Sequence, residues 1–182
     1  LEGMLDRSEA HYDAVPKFGL DALVYGTGFI KIGHVEEKDG QCRLTHTRTD
    51  TRFMLVDRLE ARGGKPRSLF QKDFIDKFLL ADIYSRQEKG MYGDAADRVD
   101  HILHKCVSNT DQDMAIGSRS KCEMITVREA WHLPTRAGAK NGRHCIWIKG
   151  CTLIDEEWTW DRFPFTIIRF GNRLSGFYGD SA

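Results

Sequence analysis

The sequence predicts an α+β fold, with helices in the first and middle parts of the chain and antiparallel β-hairpins in the last third. Apolar residues of the first and middle parts recur every three to four positions, which is typical of helices with one buried face. Apolar and polar residues alternate over residues 123–133, which is typical of a half-buried strand. The dipeptide Asn141-Gly142 then favours a hairpin turn before the next strand.

The first part of the chain is predicted to form one helix followed by a hairpin. Pro16 either kinks the helix or marks its true start, and Gly26 ends it, because glycine tolerates the left-handed backbone of a helix terminus. The dipeptide Asp39-Gly40 indicates the hairpin turn. The predicted elements are a helix over 5–25, paired strands over 29–35 and 42–48, and a further strand over 51–56.

The middle part is predicted to be helical, after a polar turn over 61–67. Ser68 is a plausible N-cap for a helix over 69–83, and a second helix is expected over 94–106. A loop over 86–93 separates them, and the polar segment 107–121 is predicted to be mobile. The residues expected to face inward are Leu69, Phe70, Phe74, Ile75, Phe78, Leu79 and Ile83 in the first helix, and Ala95, Val99, Ile102, Leu103 and Cys106 in the second.

The last third is predicted to be a β-meander. Strands are expected over 123–133, 144–149 and 151–155, with Gly150 as the turn between the last two. The nearly continuous apolar run 165–170 predicts a central strand. At 182 residues the chain is expected to be a single region, with sub-lobes over 1–60, 61–121 and 122–182.

The charges balance overall but are unevenly distributed. The 27 basic and 27 acidic residues give zero formal charge, which argues against binding of nucleic acid through bulk electrostatics. Residues 43–67 carry a net charge of +4, whereas residues 94–113 carry −3 and residues 155–161 carry −4. No apolar stretch is long enough to span a bilayer, and the five cysteines are scattered as expected of free thiols in a reducing compartment.

Three short motifs suggest chemistry, but each has a simpler explanation. Gly26-Thr27-Gly28 follows a predicted helix, whereas a dinucleotide-binding loop follows a strand, so a helix stop is favoured. The Ser118–Lys121 match to an acyl-enzyme motif lies in a polar loop and is ascribed to chance. The potential ligands His101, His104, Cys106 and Cys122 have no common zinc spacing, so no metal site and no cofactor are predicted.

Two functional alternatives remain open at this point. The carboxylates Asp155, Glu156, Glu157 and Asp161, beside Trp158 and Trp160, could serve a small hydrolase if two of them converged in a pocket. The basic stretch 43–67 could instead belong to a nucleic-acid-binding module. The simpler explanations are a solvated acidic turn and a solvated or subunit-facing basic surface.

Six stretches resemble the portal proteins of short-tailed and related double-stranded DNA phages. Their order and spacing suit that family over nearly the whole chain, and the last stretch is the most specific. Segment 107–121 fits no pattern of the family. The stretches are ALVYGTGF (22–29), PRSLFQ (66–71), GRHCIW (142–147), LIDEE (153–157), FPF (163–165) and RLSGFYGDS (173–181).

The resemblance implies a structural role and no enzymatic activity. Portal subunits are several hundred residues long and form a dodecameric ring at the capsid vertex, through which double-stranded DNA passes without being tightly bound. The chain resembles the capsid-facing wing of such a subunit, so stem, clip and crown regions are expected outside it. The implied location is the virion, with assembly in the host cytoplasm and no membrane association.

The resemblance also implies the partners. The full subunit would contact its own copies and the capsid or scaffolding protein, and it would meet the packaging motor through the regions outside this chain. The isolated wing can be a monomer, because the regions that help to tie the ring are not in it. Exposed tryptophans and opposite charges suit lateral packing. The candidate interface residues are Trp158, Trp160, Arg48, Arg52, Asp155, Glu156 and Glu157.

Overall fold

The computed structural model describes residues 13–36, 42–86, 94–106, 123–136 and 138–182. Within these residues the chain forms three α-helices and two antiparallel sheets built from eight strands, which confirms the α+β class. None of the helices in this described part combines the length and the apolar character that crossing a lipid bilayer requires. In chain order the elements are α1 (Val15–Tyr25), β1 (Thr27–Glu36), β2 (Cys42–Thr49), β3 (Met54–Leu55), β4 (Ser68–Asp76), α2 (Lys77–Arg86), α3 (Ala95–Asp100), β5 (Met124–His132), β6 (Arg143–Ile148), β7 (Cys151–Glu157) and β8 (Phe165–Arg169).

The chain divides into two compact units. The first consists of Leu1–Pro66 together with Arg162–Ala182, and the second of Arg67–Asp161. The two ends of the chain belong to one unit because β8, from the last part, pairs with β1, from the first. This division differs from the three sub-lobes expected from the sequence.

The first unit is a three-stranded sheet, in the order β2-β1-β8, with α1 packed on one face. Gly26 ends α1 in the left-handed conformation, at φ 77°, as the sequence predicted. On the other face of the sheet lies fully buried Phe29, whose ring contacts Phe165 edge-on at 6.4 Å and stacks on Phe177 at 6.0 Å. The segment after β8 therefore closes the core of this unit.

The second unit contains the long strands in the order β4-β5-β6-β7, each antiparallel to the next. A β-bulge between Ile146 and Trp147 shifts the register of the last pair. The helix over 94–106 is confirmed, with Asp94 as its N-cap and a π-helical turn at His101–Lys105. One face of the sheet packs against the helices in a core formed by Leu80, Ala81, Tyr84, Ile102, Cys106, Ile125, Val127, Ile148, Leu153 and Ile154.

The helix predicted over 69–83 is wrong in its first half. Residues Ser68–Asp76 form strand β4, in which every residue pairs with β5, and Ser68 is not an N-cap. Asp76 caps the following helix instead, because its Oδ1 accepts hydrogen bonds from the backbone N–H groups of Phe78 and Leu79 at 3.0 and 3.2 Å. Within the described range, helical structure there begins only at Lys77.

Two strand predictions also need correction. Over 51–56 the chain forms a 3₁₀ turn at Thr51–Phe53 and only a two-residue strand, because Asp50 accepts a hydrogen bond from the backbone N–H of Arg52 and turns the chain. In the apolar run 165–170, residues Phe165–Arg169 form strand β8, which among the described strands lies at the edge of its sheet and not in its centre. Ile168 and Phe170 are exposed. The apolar content of the run did not distinguish an edge strand from a central strand.

The remaining strands agree with their predictions, including the return strand over 42–48 and the turn at Gly150, whose φ is 84°. Five predicted features lie outside the described residues. They are the helical residues 5–12, the turn Asp39-Gly40, most of the loop 86–93, the segment 107–121, and Cys122.

Candidate subunit interface

The seven candidate interface residues belong to both units of the chain. Arg48 and Arg52 are in the first unit, and the other five are in the second.

Arg48 is held by a buried acidic partner. Its Nε and Nη2 each donate to a different carboxylate oxygen of Asp21, both at 2.6 Å, and Asp21 is only 4% exposed. This hydrogen bonding to Asp21 raises the pKa of Arg48. The pair ties β2 to α1, so the charge of Arg48 is committed to the fold of its own unit.

Arg52 is paired as well, but it stays half exposed. Its Nη2 donates to Asp50 at 2.6 Å, and this hydrogen bonding lowers the pKa of the Asp50 carboxyl group. The guanidinium lies 5.8 Å from the ring centroid of Tyr25 and 5.7 Å from that of Phe53. Arg52 therefore presents a charged, aromatic-backed surface to its surroundings.

Asp155 forms a two-pronged ion pair across the β6–β7 ladder. Its oxygens accept from Nε and Nη2 of Arg143 at 2.7 and 2.5 Å, and this hydrogen bonding lowers the pKa of Asp155. The Cys145 thiol also donates to Asp155, at 3.4 Å. Burial raises the pKa of that thiol, and the hydrogen bond to Asp155 raises it further, so Cys145 is not an activated nucleophile.

Glu156 points to the opposite face of the sheet, where it accepts from Nδ1 of His144 at 2.7 Å. The other ring nitrogen, Nε2, faces Glu129 of β5 at 2.8 Å. We call Glu129, His144 and Glu156 the histidine clamp. Each ring nitrogen thus faces a carboxylate, and both contacts are hydrogen bonds donated by His144 when the imidazole is protonated.

Two tryptophans enclose the histidine clamp. The ring of His144 stacks on Trp131, with centroids 5.3 Å apart and an angle of 11°, and Trp158 approaches it edge-on at 5.8 Å. Burial is the largest influence on the pKa of His144 and lowers it, but the hydrogen bonds to both glutamates outweigh burial and raise the pKa. Trp158 is half-buried here, so it packs within its own unit.

Neither His144 nor Glu129 was predicted from the sequence to be a functional residue. His144 lies on the same face of its strand as Ile146 and Ile148, and this alternation does predict an inward position. Its partners come from two other strands, however, so only the strand register brings the three side chains together. Among the seven candidates, Glu157 and Trp160 are exposed at the end of the sheet, and the indole of Trp160 is 65% exposed.

Asp155 and Glu156 do not form the converging pair of carboxylates that the hydrolase alternative requires. The two carboxylates lie on opposite faces of β7, and each is bonded to a different basic side chain. Glu157 and Asp161 are exposed. An open cavity of about 550 Å³ elsewhere in this unit is lined by side chains of both charges, including Asp97, Arg98 and His101.

The possible metal ligands that the structure describes, His101, His104 and Cys106, do not form a common site. His101 lies with Nε2 3.1 Å from the carbonyl oxygen of Lys149, whereas His104 pairs with Asp100 at 2.9 Å. Nowhere in the described ranges do three or more histidine, cysteine or acidic side chains form a group that could hold a metal ion. Burial raises the pKa of Cys106, which is typical of a thiol that packs in a core.

No protein-family model matches the chain, and no curated protein matches it.

Proposed function

We propose that the chain is the wing part of a phage portal subunit, a structural protein of the ring through which double-stranded DNA enters and leaves the capsid. The observation that carries the proposal is the set of six portal-like stretches, which occur in the family's order between residues 22 and 181. The proposed partners are further copies of the subunit and the capsid or scaffolding protein.

The packing of the first and last of these stretches supports the proposal. A Cβ on Gly26 would lie 2.2 Å from the carbonyl oxygen of Gly179, so the two backbones meet where only glycine fits. The backbone N–H of Gly179 also donates to the hydroxyl of Thr27 at 2.8 Å. Two stretches that are far apart in sequence thus form one packed structure, as expected if both belong to a single family pattern.

The charge distribution is compatible with a passage for DNA that does not grip it. Zero net charge gives no bulk attraction to phosphates. Two arginines of the basic stretch, Arg48 and Arg52, are neutralised by Asp21 and Asp50. A structural ring needs no catalytic group, and the described carboxylates of β7 support none.

The test is to express the complete reading frame that encodes this chain and to measure its assembly. Native mass spectrometry and negative-stain electron microscopy should show closed rings of about twelve subunits, as the resemblance implies. A complete product that stays monomeric, or that is too short to contain stem and clip regions, would overturn the proposal. Salt-dependent binding of the product to linear double-stranded DNA would favour the nucleic-acid-binding alternative instead.

A further inference from the structure

The histidine clamp connects an inner strand of the second unit with an outer one. Glu129 belongs to β5, which pairs with β4 and β6, whereas Glu156 belongs to β7, which among the described strands pairs only with β6. His144 lies on β6 between them, directly opposite Glu156 in the strand register. The clamp therefore holds this outer strand to the interior of the sheet.

The two carboxylates of the clamp differ in their access to water. The side chain of Glu129 is 13% exposed, whereas that of Glu156 is 43% exposed. A buried carboxylate that loses its donor bears the full cost of desolvation, while water replaces the donor of an exposed one. The contact between His144 and Glu156 is therefore the one that is given up at the lower cost.

The ionisable groups around His144 come from β5, β7 and α2. Glu129 and Glu156 face its two ring nitrogens, at 2.8 and 2.7 Å. From α2, Tyr84 is buried; burial raises the pKa of its phenol and the charge of Glu129 raises that pKa further, so the phenol is uncharged near neutral pH. Among these groups, His144 is the one whose ordinary pKa, 6.5, lies close to neutral pH.

We propose that loss of the proton from His144 opens the histidine clamp at Glu156 and keeps it closed at Glu129. A neutral imidazole has a single N–H group, so it donates to one carboxylate, and its other nitrogen then presents a lone pair to the second one. The N–H group stays on Nε2, beside the more buried Glu129, and Glu156 turns into solvent. The clamp is thus a pH-sensitive switch that holds the end of β7 in its protonated form and releases it in its neutral form.

The two tryptophans beside His144 respond differently to this opening. Trp131 stacks on the ring from β5 and is 1% exposed, so it stays in place. Trp158 follows β7, contacts the ring of His144 edge-on and donates its backbone N–H to the carbonyl oxygen of Gly142 at 3.1 Å. The neutral form therefore loosens the stretch from Glu156 to Trp158, while β5 and β6 remain paired.

The first measurement is the tautomer of His144. Nitrogen-15 NMR of the imidazole distinguishes a ring nitrogen that carries a proton from one that does not. Both nitrogens of the wild-type protein should carry protons at pH values below 6.5, and after titration Nε2 alone should carry one. An N–H group that remains on Nδ1 instead would overturn the proposal, because Glu129 would then be the partner released.

The second measurement is amide hydrogen exchange at the same pH values, expressed as protection factors. The Trp158 N–H should lose about tenfold or more of its protection as His144 becomes neutral, relative to amides of the β4–β5 ladder. Equal losses at both places would mean a general decrease in stability and no opening at β7, which contradicts the switch. The switch requires neither a ring nor DNA, so this test does not depend on the proposed function.

Two variants remove the switch by different routes. H144Q has no titrating group, so the relative protection of Trp158 should not change with pH. E156Q keeps the shape of the side chain and, because an amide both donates and accepts, suits either form of the imidazole. The relative protection of Trp158 should therefore stay constant in E156Q as well, and this variant decides the question if H144Q does not fold.

The matched control lies across the same two strands. Asp155 pairs with Arg143 on the opposite face of the β6–β7 ladder. D155N weakens this pair without touching the clamp, so the pH-dependent change at Trp158 should persist in it. A change that disappears in D155N but persists in H144Q would assign the pH dependence to that ion pair and reject the switch.

Discussion

Nδ1 of His144 lies 2.7 Å from Oε1 of Glu156, across the pairing of β6 with β7. Since Nε2 contacts Glu129 in the same way, the protonated side chain of His144 joins three neighbouring strands. Burial of a charge is costly unless it is paired, and here two carboxylates pair it. The histidine clamp is therefore a stabilising element whose strength depends on protonation.

The first prediction concerns pH. The folded pKa of His144 is raised above its ordinary value of 6.5, so its contribution is fully present below that value and is lost as pH rises through the folded pKa. The free energy of unfolding, measured by urea titration at a series of pH values starting below 6.5, should therefore decrease as the pH is raised above 6.5. Burial raises the pKa of Cys106, Cys145 and Cys151 above 9.0, so these thiols titrate later.

The matched variant for this prediction is H144Q. It should be less stable than the wild type by about 2 kcal/mol, because both glutamates lose a charged partner. In H144Q, the decrease in the free energy of unfolding that is attributed to His144 should be absent from the pH profile. An unchanged profile in H144Q would mean that some other group causes the decrease.

The sequence predicted the hairpins of the last third because the alternation of apolar and polar residues there is typical of strands only. Residues 125, 127 and 131 are apolar and buried, and no helical stripe accounts for them equally well. In β4, by contrast, Leu69, Phe70, Phe74 and Ile75 fit both a helical stripe and a strand with two apolar faces. What makes this segment a strand is its pairing with β5, whose paired residues run from Met124, opposite Asp76, to His132, opposite Ser68.

The candidate site was predictable only as a list of residue types. The charged stretches were visible in sequence, but which cations are neutralised was not, because Arg48 meets Asp21 from 27 residues away. The histidine clamp depends likewise on strand register. Exposure, which separates Trp160 from half-buried Trp158, follows from tertiary packing.

The second prediction tests the corrected start of α2. Replacing Asp76 with alanine removes the acceptor for the backbone N–H groups of Phe78 and Leu79. D76A should lower the free energy of unfolding by about 1 kcal/mol. D76S retains a capping oxygen and should remain close to the wild type in the same urea titration. Equal losses in the two variants would show that capping is not what Asp76 contributes.

The third prediction concerns the buried pair between Asp21 and Arg48. D21A leaves the Arg48 guanidinium without its carboxylate, which should cost about 2 kcal/mol of stability, since Arg48 retains some access to water. The control is the ion pair between Asp13 and Lys17 at the start of α1, where both side chains are exposed to solvent. D13A should hardly change the unfolding midpoint. Similar effects of the two substitutions would contradict a special role for burial.

The fourth prediction compares two glycines at the start of the first unit. A Cβ on Gly19, inside α1, meets no atom within 4 Å, so G19A should stabilise the protein by about 0.5–1 kcal/mol through reduced chain entropy. A Cβ on Gly28 would lie 2.3 Å from the carbonyl oxygen of Phe18, a backbone atom that cannot move without displacing the helix. G28A should therefore destabilise the protein by about 3 kcal/mol or prevent folding. Thermal unfolding of both variants checks the pair, and a stable G28A protein would mean that α1 does not pack against β1 as closely as the structure has it.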